Sequence, residues 1–322
     1  AALIAAARVS VETLSSQDIA FRLGPRLNAT GRLEHGILAY SLLTCADADQ
    51  AQRLAADLER LNAERQELLA QQVAQAEAAV EPDDLPIFVQ GPDYHEGIVG
   101  LVAGRLAERR HRPALVMRTR PDGTIRGSAR SPALKSRSPD ALAPTEFSIT
   151  RALEACANLG LLSRFGGHAQ AAGFTLETAR LDAFRECIQA YCAATIDPAS
   201  LLRQYLVDAI INLDELDLAT VSALQSLEPF GQGNPAPMFA SLGLEIVGLR
   251  RLGAEGQHVR LCVRQNGAVQ EAIAFRQGRL AEEYAVGDYV DLLYQPEINS
   301  WQGQERLQLV VTAARKRENA PL

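Results

Sequence analysis

Between Asp47 and Val80 the chain contains neither glycine nor proline. The stretch is rich in Ala, Gln, Glu and Leu, and its apolar positions Leu54, Leu58, Leu61, Leu68 and Val73 keep helical spacing. At a rise of 1.5 Å per residue such a helix reaches about 50 Å. A rod of that length with one apolar stripe is suited to joining two domains, and Glu81-Pro82-Asp83-Asp84 ends it.

What the rod joins is bounded by length and composition. The 322 residues leave room for two or three domains, and 47% hydrophobic with 22% charged residues is ordinary for globular protein, which sets aside disorder, collagen and coiled coil. No apolar run approaches the roughly 20 residues that span a bilayer. Ala1 to Ser10 shows no basic segment followed by a cleavage site, so no signal peptide is expected. The first residue is Ala1 rather than Met, which reads as a fragment or a processed product. Five cysteines (Cys45, Cys156, Cys187, Cys192, Cys262) are too scattered for a disulfide framework and form no CxxC, which predicts a reduced, cytoplasmic protein.

Along the chain, residues 1 to 36 read as a short helix and a loop carrying Phe21 to Ala29, and Ile37 to Thr44 as helix. After the rod, strand and helix alternate: strands at Leu85–Gln90, Ala114–Arg118, Thr124–Ala129 and Ala171–Leu176, helices at Ile98–Arg110 and Ser148–Leu162, and a closing amphipathic helix marked by Leu181, Phe184 and Ile188. Asp197-Pro198 reads as a linker. Beyond it come six expected strands, at Tyr205–Leu213, Leu242–Leu252, Val259–Val263, Glu271–Phe275, Tyr289–Pro296 and Arg306–Val311, with a short helix at Asp217–Leu227. The pattern predicts α/β plus all-β: a long connector helix, an α/β domain and an OB-fold-like small β-barrel.

Three motifs in the middle domain could carry chemistry. Tyr94-His95-Glu96-Gly97-Ile98-Val99-Gly100 opens a helix, where free N–H groups suit an anion. In Arg126-Gly127-Ser128-Ala129-Arg130-Ser131, Ser128 and Arg130 share one strand face and can grip one phosphate together. In Phe165-Gly166-Gly167-His168-Ala169-Gln170-Ala171-Ala172-Gly173-Phe174, paired glycines before a histidine at a helix-to-strand corner leave backbone N–H groups open beside an imidazole. Each also has a structural reading, as a helix start, a solvated strand edge and a turn.

Charge is unevenly spread. Residues 104 to 137 hold ten basic residues (Arg105, Arg109, Arg110, Arg112, Arg118, Arg120, Arg126, Arg130, Lys135, Arg137) against Glu108 and Asp122, a net +8 in a chain of −7, so the remainder carries −15. A basic stripe in an acidic protein is the expected footprint of phosphate-backbone binding. Of the 32 basic residues only Lys135 and Lys316 are lysine. Further on, Glu228-Pro229-Phe230-Gly231-Gln232-Gly233-Asn234-Pro235-Ala236-Pro237-Met238-Phe239 reads as a rigid loop that fixes domain packing, and Tyr289, Tyr294 and Trp301 are candidate base-stacking groups.

Taken together, GPRLNATGRL at 24 to 33, YHEGIVGLVAGRLAERRHRPALV at 94 to 116, RGSARS at 126 to 131, FGGHAQAAGF at 165 to 174 and EPFGQGNPAPMF at 228 to 239 resemble the RecJ family of single-strand-specific DNA exonucleases, within the DHH phosphoesterase superfamily. The resemblance implies residues 1–46 as the end of a DHH domain, 47–80 as the connecting helix, 81–197 as a DHH-associated α/β domain and 198–318 as an OB-fold-like domain. It implies a 5′-to-3′ exonuclease of single-stranded DNA serving repair and recombination, dependent on Mn2+ or Mg2+ and working with single-strand-binding protein and a RecQ-like helicase, with no membrane partner. By the same resemblance His168 contacts the DNA phosphate near the metals with Gly166 and Gly167, Ser128 and Arg130 receive the terminal 5′-phosphate, His95 lies near it, and Arg26, Asn28 and Arg32 belong to a loop near the domain interface. No metal ligand is expected here: His35, His95, His111, His168 and His258 are never adjacent, and there is no Asp-His-His. The chain by itself is therefore expected to bind DNA and not to cut it. Two other classes remain open: a nonenzymatic DNA-binding or replication-scaffold module, which the upstream coding sequence would reveal, and a phosphodiesterase of short oligonucleotides or cyclic dinucleotides, against which the barrel and the EPFGQGNPAPMF loop count.

Overall fold

The computed structural model describes residues 1–12, 14–135, 146–231, 233–301 and 304–317. Arg137, Gln232 and the Trp301 side chain, all singled out above, lie outside the described residues. Two compact units divide the chain, Ala1–Gln204 and Tyr205–Leu322.

The first unit begins with short helices α1 (Ala2–Ala6), α2 (Ser16–Asp18), α3 (Gly24–Leu33) and α4 (Ile37–Thr44). The rod is α5, Ala48–Glu77, and the Asp47 side chain caps it by accepting from the Gln50 N–H. Its buried stripe serves two cores. Ala55 and Leu58 pack with Leu42 and with Leu27 and Leu38 of the preceding helices, while Val73 and Ala76 pack with the helix that follows. One rod supporting two cores needs a continuous stripe, which is why a helix breaker anywhere along it would be costly.

The segment expected as a loop, RLNATGR, is helical within α3. Pro25 sits in the first turn, where its missing N–H costs nothing, and Ala29 and Thr30 are buried. Tertiary burial overrides the glycine and proline signals.

A five-stranded sheet follows, in the order β1-β2-β3-β5-β4, from β1 (Ile87–Gly91), β2 (Ala114–Thr119), β3 (Thr124–Arg130), β4 (Arg164–His168) and β5 (Ala171–Glu177). β1 and β2 run parallel across the crossover helix α6 (Val99–Arg110); the other pairs are antiparallel. One face, with Leu115, Met117, Ile125, Ala129, Phe174 and Leu176, is covered by α7 (Ile149–Asn158) and α8 (Leu181–Thr195). The other buries Ile87, Val89, Ala114 and Val116 beneath α6. Beyond that helix Gly166, His168 and Gly173 stay exposed.

The GGH segment is thus a strand and not a helix-to-strand corner: β4 turns through Ala169-Gln170 into β5. Two glycines disguise it, because they lower strand propensity while leaving the backbone ladder intact. At Gly167, with φ of 154°, a Cβ would lie 2.2 Å from the Ala171 carbonyl oxygen, so glycine is required there.

In the second unit β7 (Phe239–Leu252), β8 (His258–Gln265), β9 (Ala268–Ala274), β10 (Tyr289–Trp301) and β11 (Gln304–Arg317) close into a barrel through a β10–β7 pairing, with α9 (Leu218–Gln225) and α10 (Leu280–Glu283) beside it. Of the strand expected over Tyr205–Leu213, only β6 (Ala209–Ile210) pairs, with β7. Leu244, Ile246, Val259, Leu261, Val290, Leu292, Leu309 and Val311 fill the interior. Tyr294 joins them fully buried, its hydroxyl 2.7 Å from the Ser241 Oγ. A ring enclosed in the core cannot stack on a base, which removes Tyr294 from the candidate stackers.

Candidate functional site

Opposite residues of an antiparallel ladder project to the same face. Across β3, β5 and β4 the register therefore writes three rows on the face where α6 packs, with Ser128 and Arg130 against the start of α6 and the glycines beyond it: Arg130–Ala171–His168, Ser128–Gly173–Gly166 and Arg126–Thr175–Arg164. Neighbouring strands lie about 4.8 Å apart and successive rows about 6.8 Å. The centre is glycine, and a Cβ at Gly166 would meet nothing within 4 Å. Glycine here bares the backbone to whatever lies over the sheet, within a ring of Ser128, Arg130, Arg126, Arg164 and His168. A groove of about 690 Å³ runs over this floor, lined by Arg120, Arg126, Arg164, Gly166, Gly173 and Thr175 among others.

Ser128 and Arg130 form a joined pair. The Arg130 Nη1 donates to the Ser128 Oγ at 2.7 Å and to the Ala129 carbonyl at 2.8 Å. The Ser128 hydroxyl donates to the Ala172 carbonyl at 3.4 Å, which ties β3 to β5. Burial, and then the neighbouring charge of Arg32, hold the Arg130 pKa below the usual arginine value. No carboxylate pairs with Arg130 among the described residues. A half-desolvated cation without a counter-ion, next to a hydroxyl, is arranged for an incoming anion.

The start of α6 abuts this pair. A Cβ on Gly100 would lie 2.8 Å from the Arg130 Nη2 and 3.1 Å from the Ser128 Oγ. One turn earlier, a Cβ on Gly97 would overlap the Arg32 carbonyl oxygen at 1.9 Å, and the Arg32 Nη1 donates to the Gly97 carbonyl at 3.3 Å. His95 acts as a local cap: its Nδ1 accepts from the Gly97 N–H at 3.2 Å, while its own N–H donates to the Gln72 Oε1 of α5 at 3.3 Å. His168 is exposed, and its carbonyl accepts from the Thr150 hydroxyl of α7 at 2.6 Å. The Ile149 N–H bonds the Ala169 carbonyl, so the start of α7 holds the β4–β5 turn.

The fold thus brings Ser128, Arg130, Gly166, Gly167 and His168 onto one sheet region, with His95 and Arg32 at the adjoining helix start. Arg26 goes elsewhere. Its guanidinium pairs with Glu59 of α5, and Asn28 stands exposed on α3.

The basic segment is not one continuous stripe. Arg109 pairs with Glu77 at 2.8 Å and Arg105 with Glu108 at 3.1 Å. Glu96 takes two bonds of 2.6 Å from Arg120 and one of 3.2 Å from Arg126, and the Arg120 bonds foremost hold its carboxyl below the ordinary range. Glu77 and Glu96 lie outside the window counted in the sequence, so a linear count could not register them. Arg164 was missed for a related reason. It alternates with Gly166 and His168, a period-2 signal that appears only once the segment is read as a strand.

Among the described residues no group of three or more His, Cys, Asp or Glu could hold a metal ion. The Arg130 guanidinium beside Ser128 brings a positive charge, and among the described residues no carboxylate, thiolate or imidazole bonds to the pair, a set unsuited to holding a metal ion. No helix of the described residues is long and apolar enough to cross a membrane.

Comparison with known proteins agrees with this architecture. The DHHA1 domain family matches residues 84–194, and the RecJ OB domain family matches residues 207–313. The single-stranded-DNA-specific exonuclease RecJ of Bacillus subtilis is 29% identical over 304 residues, covering 93% of this chain and 37% of that protein. The RecJ of Dickeya dadantii is 33% identical over 320 residues, covering 96% of this chain and 53% of its own length. The crystal structure of RecJ from Thermus thermophilus in complex with Mn2+ superposes with a TM-score of 0.80 at 31% identity, over 99% of this chain and 44% of that one. Its complex with Mg2+ gives 0.78 at 31% identity, over 98% and 46%. The chain spans about half the length, or less, of the relatives it matches.

Proposed function

The chain belongs to the RecJ family, of which it carries the DHHA1 and OB domains, and on that premise we propose that it holds the 5′-phosphate end of single-stranded DNA for a RecJ-type 5′-to-3′ exonuclease. The observation that carries the reading is the Ser128–Arg130 pair beside an open glycine floor with His168 across it. Ser128 and Arg130 clasp the terminal phosphate. The bare backbone at Gly166 and Gly173 lets the next sugar-phosphate approach closely, and His168 meets that phosphate from the β4 edge. Arg126 and Arg164 supply positive charge along the groove. These residues bind and orient, contributions that in hydrolysis act through positioning and electrostatic preorganisation. On this reading the chain's share of the reaction is the grip on the strand.

Fluorescence anisotropy with 5′-phosphorylated and 5′-hydroxyl single strands tests this. The phosphorylated strand should bind more tightly, and Ser128→Ala or Arg130→Ala should cut that preference about tenfold, the scale of one charge-assisted hydrogen bond. Equal binding of the two strands by the unaltered chain would refute the assignment. Manganese-dependent degradation by the purified chain would refute the division of labour.

A further inference from the structure

The cysteines are scattered in sequence, yet folding brings two of them together away from the phosphate groove. Cys156 lies in the last turn of α7 and Cys187 midway along α8, the two helices that cover the opposite face of the five-stranded sheet. The two residues are 31 positions apart in the chain, and the Cys156 S–H donates to the Cys187 Sγ at 3.0 Å. That separation is about 1 Å more than a disulfide bond.

The two sulfurs differ in access. Cys156 is fully enclosed in the core beneath the sheet, whereas Cys187 is half-buried and packs against the outside of that core. Burial, and then the Cys187 sulfur beside it, push the Cys156 thiol up, so it stays protonated and remains the donor. Cys187 is therefore the sulfur that a small oxidant reaches, and Cys156 the enclosed sulfur next to it. A sulfur already in contact needs no encounter step, which offsets its low reactivity when free.

Both helices support the β4–β5 hairpin. The Ile149 N–H and the Thr150 hydroxyl at the start of α7 bond the Ala169 and His168 carbonyls of its turn. Phe184 of α8 packs on Phe174 of β5, with ring centroids 5.2 Å apart. A covalent link from α7 to α8 would join these two supports.

We propose that Cys156 and Cys187 form a peroxide-sensitive dithiol, a modification site that closes to a disulfide between α7 and α8 and stabilises the layer beneath the β4–β5 hairpin. The Cys187 thiolate attacks one oxygen of hydrogen peroxide, the O–O bond breaks, and hydroxide leaves and takes up a proton as water. Cys187 is then a sulfenic acid. The Cys156 sulfur attacks the Cys187 sulfur, the S–O bond breaks, and the hydroxyl leaves with the Cys156 proton as a second water. Two thiols and one peroxide give one disulfide and two waters; the sulfurs lose two electrons and the peroxide gains them. A thiol reductant reverses the bond by exchange.

The test exposes the full chain to hydrogen peroxide, counts thiols in denaturant and maps cross-linked peptides by mass spectrometry without reduction. The count should fall from five to three, with Cys156 joined to Cys187, and dithiothreitol should restore it. Cys187→Ser should keep its remaining thiols and form no cross-link. Cys156→Ala should form none either and should leave Cys187 as a sulfenic acid that dimedone captures. Cys192→Ser, which alters the neighbouring buried cysteine, should still lose two thiols to the Cys156–Cys187 bond. Closing a loop of that length should raise the urea midpoint of the first unit by about 1 M, reversed by reduction. All five thiols surviving peroxide, or a disulfide that persists in Cys187→Ser, would overturn the site. A Cys156–Cys187 bond with an unmoved urea midpoint would overturn the stabilising role. Should Cys156→Ala not fold, Cys156→Ser carries the same comparison.

Discussion

Replacing Gly100 with alanine should separate stability from binding. The added Cβ would sit 2.8 Å from the Arg130 Nη2 and 3.1 Å from the Ser128 Oγ, against an ordinary contact of about 3.4 Å, so the guanidinium must retreat by about 0.6 Å. Arg130 is long and can yield, and alanine is the better helix former by about 0.5–1 kcal/mol. The fold should therefore be unharmed or slightly more stable. The retreat costs the 2.7 Å bond between Arg130 and Ser128 and turns the pair away from a shared phosphate. Losing one charge-assisted hydrogen bond, about 1.5–2 kcal/mol, lowers affinity for a 5′-phosphorylated strand roughly ten- to thirtyfold. Gly97, in the turn before α6, and Gly104, on α6 itself, supply controls. At Gly97 the clash is with the Arg32 backbone at 1.9 Å, which cannot rotate aside, so Gly97→Ala should cost about 3 kcal/mol or more by prising α3 from α6. At Gly104 nothing lies within 4 Å, so Gly104→Ala should stabilise by about 1 kcal/mol. Urea denaturation measures the stabilities and anisotropy the binding. A folded Gly100→Ala that binds the phosphorylated strand like the parent would refute the reasoning, as would a Gly97→Ala of parental stability.

Glu96→Gln should tighten single-strand binding severalfold at low salt and steepen the salt dependence by about one, because it releases Arg120 and Arg126 from their carboxylate; an unchanged slope in an anisotropy salt series would exclude those two from the DNA path. Burial pushes the Asp291 carboxyl up, but hydrogen bonds from Arg315, the Gly243 N–H and Arg317 outweigh it and hold the pKa below the ordinary 3.8. Its folded value thus lies below its unfolded one, so its contribution is complete above about pH 4 and is lost as the pH falls through the folded value. Acid titration of the barrel's circular dichroism should show an acid limb that Asp291→Asn flattens, at a cost of about 2 kcal/mol near neutral pH; an unaltered limb would count against this network. Tyr294→Phe removes the bond to Ser241, which keeps its bond to the Ile211 carbonyl, and should cost about 1 kcal/mol of barrel stability by urea melt with DNA affinity unchanged.

Periodicity told where helices and strands lie wherever one face is buried. Leu58, Leu61 and Val73 mark α5, and the alternation of Val259, Leu261 and Val263 marks β8, because burial imposes those periods on apolar residues. Where burial is absent the signal fails. All five residues of β4 are exposed, and two are glycine, so nothing in the local composition announces a strand. Pro25 and Gly31 misled in the opposite direction, since α3 tolerates both under cover of its contacts with α5. Ser128 and Arg130 were legible as a pair because i and i+2 share a strand face, whereas the packing of Arg32 at the start of α6 was not. Its hydrogen-bond partner Gly97 is 65 positions away along the chain, and no spacing rule connects residues that distant.

By itself the sequence determined the order of the parts: a rod without helix breakers, a mixed α/β layer and a small barrel, each following from local propensity and from which positions must leave water. Its motifs also pointed to phosphate chemistry. Only the tertiary structure decided how charge is distributed over that chemistry. Folding brings Glu77 and Glu96 onto arginines that a linear count had left bare, and it leaves Arg130 on the Ser128 hydroxyl and the Ala129 carbonyl with no carboxylate partner among the described residues. Ionic pairing depends on distances in space of a few ångströms, and chain order sets those distances only for near neighbours.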